Sequence, residues 1–167
     1  MTALEVCEWL ETTALAIAIQ ESLYGFAILV GIHILGVAAS VGMLLWVDLR
    51  LVGVALVRRP VDEIYRSLAP WFATGFTIML LSGAALFTAF ATAAYGNLFF
   101  RIKLLLLLLA GANAVVFHRF AARAAHRGGS AETPPPAARF AGALSLVIWA
   151  GVIVMGRMMS YTMFSFG

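Results

Sequence analysis

Residues 22–46 read SLYGFAILVGIHILGVAASVGMLLW, a run whose only ionisable groups are the imidazole of His33 and the phenol of Tyr24. The hydrocarbon layer of a bilayer is about 30 Å thick, and a helix of about 20 apolar residues crosses it. Backbone groups in lipid must be hydrogen-bonded within their own segment, which a helix achieves and an isolated strand does not. The run therefore predicts a transmembrane helix.

Three further apolar runs follow, over residues 68–93, 98–117 and 140–163. The 167-residue chain is 63% hydrophobic and 11% charged, whereas about a quarter of the residues of a soluble domain are charged. Residues 3–20 are acidic and amphipathic and lack basic residues, which predicts an interfacial helix and not a cleavable signal peptide. The predicted fold class is all-α, a single-domain integral membrane four-helix bundle with an N-terminal interfacial helix.

Arginines concentrate in two of the three connections between these spans. They are Arg50, Arg58, Arg59 and Arg66 around the first, and Arg119, Arg123, Arg127 and Arg139 around the third. By the positive-inside rule these connections are cytoplasmic and both termini lie outside, as in a multi-pass protein of the bacterial inner membrane. Residues 128–137, rich in Gly, Pro and Ala, predict a flexible cytoplasmic loop. Because the basic residues form no single patch, the expected partner is the lipid bilayer and not a nucleic acid.

Four residues inside the spans are singled out, because ionisable and strongly polar groups in a membrane are functional candidates. They are His33, Lys103, Asn113 and Arg157. His33 lies about 16 Å into its predicted helix, near the middle of the membrane. Small residues follow it at helical spacing, which predicts close helix packing or room for a flat haem with His33 as axial ligand. The candidate cofactor-binding residues are His33, Met155, Met79, Lys103, Arg157, Gly36, Gly83 and Trp149.

The second axial ligand is left open by the sequence. Met155 and Met79 are candidates, and ligation by His33 alone is an alternative. His118 and His126 are expected at the cytoplasmic surface, too far from His33 to share one iron. We expect Lys103 and Arg157 near the haem propionates, or Lys103 snorkelling to water and Arg157 held by an anionic partner.

A copper site is the competing metal hypothesis. Thioethers suit Cu(I), and methionines cluster near the end of the last span. They are Met155, Met158, Met159 and Met163. The single cysteine, Cys7, excludes an intramolecular disulfide and a cysteine-based metal cluster. At the other side of the membrane, Asp48 and Arg50 are expected to form a structural ion pair or a helix-end contact.

Four segments carry a resemblance to known families: HILG at 33–36, DLRLVG at 48–53, RIKL at 101–104 and WAGVIVMGR at 149–157. Over nearly the whole chain they resemble an uncharacterised family of bacterial four-helix membrane proteins. More remotely, the pattern is similar to the CopD-like copper-resistance proteins and to the bacterial four-helix protoporphyrinogen oxidase family. The last resemblance implies haem b, with His33 and Lys103 matching a first-helix histidine and a third-helix lysine, and electron or proton transfer to a quinone.

The leading functional hypothesis is a membrane-embedded haem b protein that acts as an electron-transfer subunit, with quinone as a possible redox partner. The alternative is a non-catalytic accessory subunit that packs in a larger membrane complex or in a homo-oligomer, where His33 only bonds to a neighbouring helix. The third hypothesis is copper handling at His33 and the methionines of the last span.

Overall fold

The computed structural model describes residues 2–126 and 134–164, except for the side chains of Asp62, His118, residues 120–126 and Phe164. Within these residues it contains seven helices and no strand. They are α1 (Ala3–Glu11), α2 (Ala14–Glu21), α3 (Gly25–Val52), α4 (Val61–Ala89), α5 (Ala91–Gly96), α6 (Leu98–His126) and α7 (Pro136–Phe164). Helices α3, α4, α6 and α7 are long and apolar enough to cross a bilayer. The predicted all-α membrane bundle is confirmed, and the protein is a multi-pass membrane protein.

The helices extend beyond the predicted spans at several ends. Helix α3 continues past the predicted end at residue 46 as far as Val52, and α4 begins at Val61, not at residue 68. Helix α4 runs through Pro70 and stops at Ala89, because Phe90 leaves the helical conformation (φ −137°, ψ 40°). Residues 91–93, predicted as the end of the second span, instead begin the short helix α5.

The N-terminal segment, predicted as one helix over residues 3–20, is two helices. The hydroxyl of Thr13 accepts a hydrogen bond from the backbone N–H of Ala16, so Thr13 caps α2 and breaks the segment. Helices α1 and α2 pack on α4 and α5. The Gln20 amide donates to the carbonyl of Ala89 (2.5 Å), and the Glu11 carboxylate accepts from the backbone and hydroxyl of Thr92.

The four long helices pack in the order α4, α3, α7, α6. Among the described residues no Cα of α6 lies within 8 Å of a Cα of α3 or α4, so the backbones of α4 and α6 stay apart. Two ends of the bundle are named below. The His33 end is where α3 begins at Gly25 and α4 ends at Ala89; the Asp48 end is where α3 ends at Val52 and α4 begins at Val61.

Glycines set the closest helix contacts. A Cβ on Gly36 of α3 would lie 2.7 Å from the backbone nitrogen of Met79 in α4. A Cβ on Gly75 of α4 would lie 2.7 Å from the backbone nitrogen of Ser40. Between α3 and α7 the equivalent contact is at Gly142, whose Cβ would meet the side chain of Leu51 at 2.9 Å. These small residues let the helix backbones touch, as the packing interpretation of the sequence predicted.

Two polar side chains also cross between helices. Asn113, one of the polar residues inside the predicted spans, donates from Nδ2 to the carbonyl of Ala141 in α7 (3.0 Å), so its role is to join α6 to α7. Asp48 is hydrogen-bonded to the Ser145 hydroxyl of α7. Arg50 donates instead to the carbonyl of Arg59 (2.7 Å). The Arg50 bond runs from the last turn of α3 to the connection that follows it, so it is a helix-end contact, the second of the two expected alternatives.

The outer surface of the bundle is apolar. Leucines and isoleucines of every long helix are exposed, including Leu35, Leu81 and Leu108. Aromatic residues that favour the membrane interface are exposed near both ends: Trp9, Tyr24 and Tyr161 at the His33 end, and Trp46 and Tyr65 at the Asp48 end. This distribution is that of a chain whose surface faces lipid.

Candidate functional site

His33 joins α3 to α4 through one ring nitrogen. Nδ1 lies 2.9 Å from the carbonyl oxygen of Met79 and 3.0 Å from the hydroxyl oxygen of Ser82. A carbonyl oxygen only accepts, so Nδ1 must carry the hydrogen. The Ser82 hydroxyl donates to the carbonyl of Ile78 (2.5 Å) and is therefore an acceptor for His33. In the neutral ring this network leaves the lone pair on Nε2.

The depth of His33 differs from the expected one. Helix α3 begins at Gly25, so His33 lies eight residues along it, about 12 Å at 1.5 Å per residue. The expected depth of about 16 Å assumed that the helix began at Ser22. His33 therefore lies within the apolar layer, a few ångströms nearer to the His33 end of the bundle than expected.

A glycine makes room for the imidazole. A Cβ on Gly83 of α4 would lie 3.0 Å from Cε1 of His33 and 3.4 Å from Nδ1. Such a contact is tight, and any larger side chain at position 83 would displace the ring. Gly83 thus forms a recess for the histidine. It was one of the small residues predicted to lie at the site, and it contacts the His33 ring directly.

Lys103 is the cation next to this histidine. Its side chain is half-buried and lies along Gly156 of α7, with Nζ 3.5 Å from the position a Cβ would take there. Lys103 and His33 lie towards the same end of the bundle, on α6 and α3. Among the described residues Lys103 has no hydrogen-bond or ion-pair partner. An ammonium in this position is available to an anionic group of a ligand.

Four residues from four different helices make up what we call the His33 cluster: His33, Gly83, Lys103 and Gly156. Towards the His33 end, the rings of Phe87 in α4 and Phe100 in α6 stack with centroids 5.4 Å apart. Towards the Asp48 end lies an apolar core. It contains Met79, Ala110, Ile148, Trp149 and Val152, with Leu106 packed against it. The cluster therefore occupies one level between two apolar layers, where α4 and α6 are bridged by side chains only.

The two candidate methionines differ in position. Met79 is buried, and its sulfur lies 3.9 Å from the hydroxyl of Ser40, away from the His33 end. Its carbonyl occupies the Nδ1 side of His33, which is the side opposite to the lone pair of Nε2. Met155 is half-buried on α7 next to Gly156 of the cluster. Ligation by either thioether stays a prediction, and the placement of Met155 is the more favourable one.

Other predicted site residues serve the packing. The space beside Gly36 is filled by the α4 backbone at Met79, and Trp149 is buried in the apolar core. Arg157 is exposed and lies over the ring of Tyr161 on its own helix (4.5 Å), with Nη2 3.1 Å from the phenol oxygen. Lys103 thus faces the bundle and Arg157 faces outwards, and an anionic partner for either cation stays a prediction.

The remaining histidines lie along α6, towards the Asp48 end. His118 follows Lys103 by fifteen residues of continuous helix, about 22 Å along the axis, and His126 lies further on. Their side chains fall outside the described residues. The stretch predicted as a flexible loop, residues 128–137, lies in part outside them too. Within the described part of the chain no three His, Cys, Asp or Glu side chains are grouped to hold a metal ion. Copper handling, which also involves the methionines of the last span, stays a prediction.

Two elements of the site were not predicted from the sequence. Ser82 was missed because serine is common in membrane spans. Its position one residue before Gly83 could have indicated that it lies close to His33. The Phe87–Phe100 stack was missed because phenylalanine is abundant in all spans and its partner depends on helix rotation.

Comparison with known proteins gives one match. The model of a family of unknown function, DUF6644, matches residues 6–162. No curated protein and no solved structure matches the chain significantly. The remote similarity to the CopD-like proteins and to the protoporphyrinogen oxidase family therefore stays a prediction. Because the family model covers nearly the entire sequence, the chain belongs to the DUF6644 family.

Proposed function

We propose that this protein is a membrane-embedded haem b protein in which His33 is the axial ligand, and that it acts as an electron-transfer subunit. Its redox partner in this proposal is a membrane quinone, and its location is the bacterial inner membrane with both termini outside. The observation that carries the proposal is the His33 hydrogen bond from Nδ1 to the Met79 carbonyl (2.9 Å). Haem-ligating and metal-ligating histidines are held by such a bond, which fixes the tautomer and leaves Nε2 as the donor atom.

The residues around His33 fit a haem in three respects. Nε2 has no hydrogen-bond partner among the described residues. Gly83 leaves the imidazole a recess, and the Lys103 ammonium offers a charge partner for a propionate. The backbones of α4 and α6 do not approach within 8 Å, so only side chains would have to move to admit a ligand between these helices. Haem b bound at His33 would supply a one-electron couple inside the membrane, and Met155 is the candidate for a sixth ligand.

A second candidate function is supported by the same bond. An accessory subunit needs His33 only to join α3 to α4, and the bond to the Met79 carbonyl does that without any cofactor. The close contacts at Gly36 and Gly75 show that this helix pair is built for tight packing. The two candidates differ in one respect: the haem proposal uses Nε2 of His33, and the accessory role does not.

The first experiment is a reduced-minus-oxidised visible spectrum of the protein purified in mild detergent. We expect a Soret band and a sharp b-type α-band in the wild type and their loss in His33→Ala. His118→Ala is the matched control, since it removes a histidine about 22 Å from Lys103 along α6, and it should retain the full spectrum. A colourless, folded wild-type protein supplied with haem would refute the proposal.

His33→Asn separates the two candidate functions. An asparagine amide can donate to the Met79 carbonyl roughly as Nδ1 does, but it offers no nitrogen lone pair to iron. The haem proposal expects His33→Asn to fold like the wild type and to lose the haem spectrum. The accessory-subunit candidate expects no absorption in either protein and a loss of stability only in His33→Ala. Haem at full occupancy in His33→Asn would exclude His33 as the ligand.

A further inference from the structure

The connection between α3 and α4 forms two adjoining hollows at the Asp48 end, far from His33. The larger, about 400 Å³, lies between the end of α3 and the first two turns of α4. The smaller, about 330 Å³, lies along residues 56–59. Both hollows are lined by Leu56 and Arg59. They therefore form one continuous surface feature, which we call the α3–α4 hollow.

The connection that shapes this hollow is held in a defined conformation. Arg50, only 4% exposed, donates from Nε to the carbonyl of Arg59 (2.7 Å). Gly53 ends α3 with φ +90°, and Leu56 also takes a positive φ of 51°. A non-glycine residue in this region is uncommon and costs energy. A buried arginine and a strained leucine indicate that the loop has a defined conformation and is not a flexible linker.

The lining of the hollow is apolar on the membrane side and basic at the rim. Its walls are Trp46, Ile64 and Leu68, of which Ile64 belongs to a buried cluster with Val47 and Leu51. The rim carries polar side chains: Arg58, Arg59, Glu63 and Ser67.

The described rim residues carry an excess of positive charge, since two arginines face one glutamate. Glu63 pairs with Arg59 (2.9 Å). Arg58 is exposed and has no partner among the described residues. The uncompensated charge of Arg58 lies beside an apolar wall at the edge of the membrane-spanning part of α4.

We infer that the α3–α4 hollow binds a phospholipid with an anionic headgroup. The phosphate would meet Arg58, Arg59 and the Ser67 hydroxyl, and an acyl chain would lie along Trp46 and Leu68. A zwitterionic lipid satisfies the apolar wall equally well but leaves the positive rim uncompensated, so charge selects the anionic headgroup. This inference does not depend on the proposed haem.

The test compares lipid binding by native mass spectrometry of the full chain in detergent, with phosphatidylglycerol and phosphatidylcholine as probes. The wild type should bind phosphatidylglycerol in preference. In the double variant Arg58→Gln/Arg59→Gln we expect about 25-fold weaker phosphatidylglycerol binding, because each basic residue near an anionic surface raises the binding affinity about fivefold. Phosphatidylcholine binding should be unchanged.

Two further variants keep the test decisive. Arg101→Gln removes an exposed arginine at the His33 end, where it lies over Tyr95, and it should bind phosphatidylglycerol like the wild type. Arg58→Lys/Arg59→Lys keeps the charge and should retain most of the phosphatidylglycerol binding. It separates loss of charge from poor folding of the glutamine variant. Equal weakening by Arg101→Gln would overturn the inference. So would equal affinity for the two lipids, or competition by millimolar inorganic phosphate, which would indicate a site for a free anion.

Discussion

Replacing Gly36 by alanine tests the contact on which the α3–α4 pair and the His33 bond both depend. The new Cβ would lie 2.7 Å from the nitrogen and 3.0 Å from the Cα of Met79, and 3.1 Å from the carbonyl oxygen of Gly75. All three are backbone atoms, so no side chain can rotate away and the helices must separate. Overpacking of this kind costs about 1–3 kcal/mol. We expect the free energy of unfolding to fall by that amount.

Gly31 provides the matched control in the same helix. Nothing lies within 4 Å of the Cβ that alanine would add there. Gly31→Ala should therefore leave the stability unchanged or raise it by up to about 1 kcal/mol, since alanine in a helix interior is more stable than glycine. Unfolding by sodium dodecyl sulfate in mixed micelles, followed by circular dichroism, measures both variants. Equal stability of Gly36→Ala and Gly31→Ala would refute the packing argument.

The Gly36 variant also bears on the candidate site. The residue that its Cβ meets is Met79, whose carbonyl holds Nδ1 of His33. Separation of α3 from α4 should weaken this bond and loosen the imidazole. If the haem proposal holds, Gly36→Ala should lose haem faster than Gly31→Ala when apomyoglobin is added as a haem acceptor. The same rate in both variants would mean that the bond does not control retention.

Two further predictions concern single contacts. Gly83→Ala places a Cβ 3.0 Å from Cε1 of His33, so we expect a shifted or weakened haem spectrum with little loss of helix content. Gly111→Ala is the control: its Cβ meets nothing within 4 Å, and the haem spectrum should be unaltered. Asn113→Ala removes the bond to the Ala141 carbonyl and should lower the free energy of unfolding by about 1 kcal/mol; an unchanged midpoint in dodecyl sulfate would show that this bond contributes nothing.

The four spans were predictable because they depend on composition over about 20 residues, which lipid constrains strongly. The helix ends were not, because they depend on single residues. Thr13 could be recognised as a cap only once the chain was seen to break there, and the end of α4 at Phe90 has no glycine or proline to mark it. Apolar periodicity continues across both breaks, so a pattern of hydrophobic residues extends the predicted helix through them.

The candidate site was predictable in its residues more than in its arrangement. Position along the sequence gives depth in the membrane, and the structure has Lys103 and Arg157 on the same side of the middle as His33. Rotation about the helix axis is set by packing, and it decides which side chains face inwards. Gly156 lies against Lys103, and the next residue, Arg157, is therefore turned outwards onto Tyr161. No property of the two cations themselves distinguishes them in advance.

A hydrogen bond that joins two membrane helices does not need a histidine. A serine hydroxyl or an asparagine amide can also donate from one helix to a carbonyl of another. Asn113 does this between α6 and α7 within the same bundle. At position 33 the chain instead carries a ring whose second nitrogen remains without a described partner, beside a lysine that has none either. Neither Nε2 of His33 nor Nζ of Lys103 is fully buried, so water, lipid or a ligand can reach each of them. The proposed haem would bond to both, with its iron at His33 and a propionate at Lys103, whereas the accessory-subunit candidate leaves both to water or lipid, and His33→Asn separates the two.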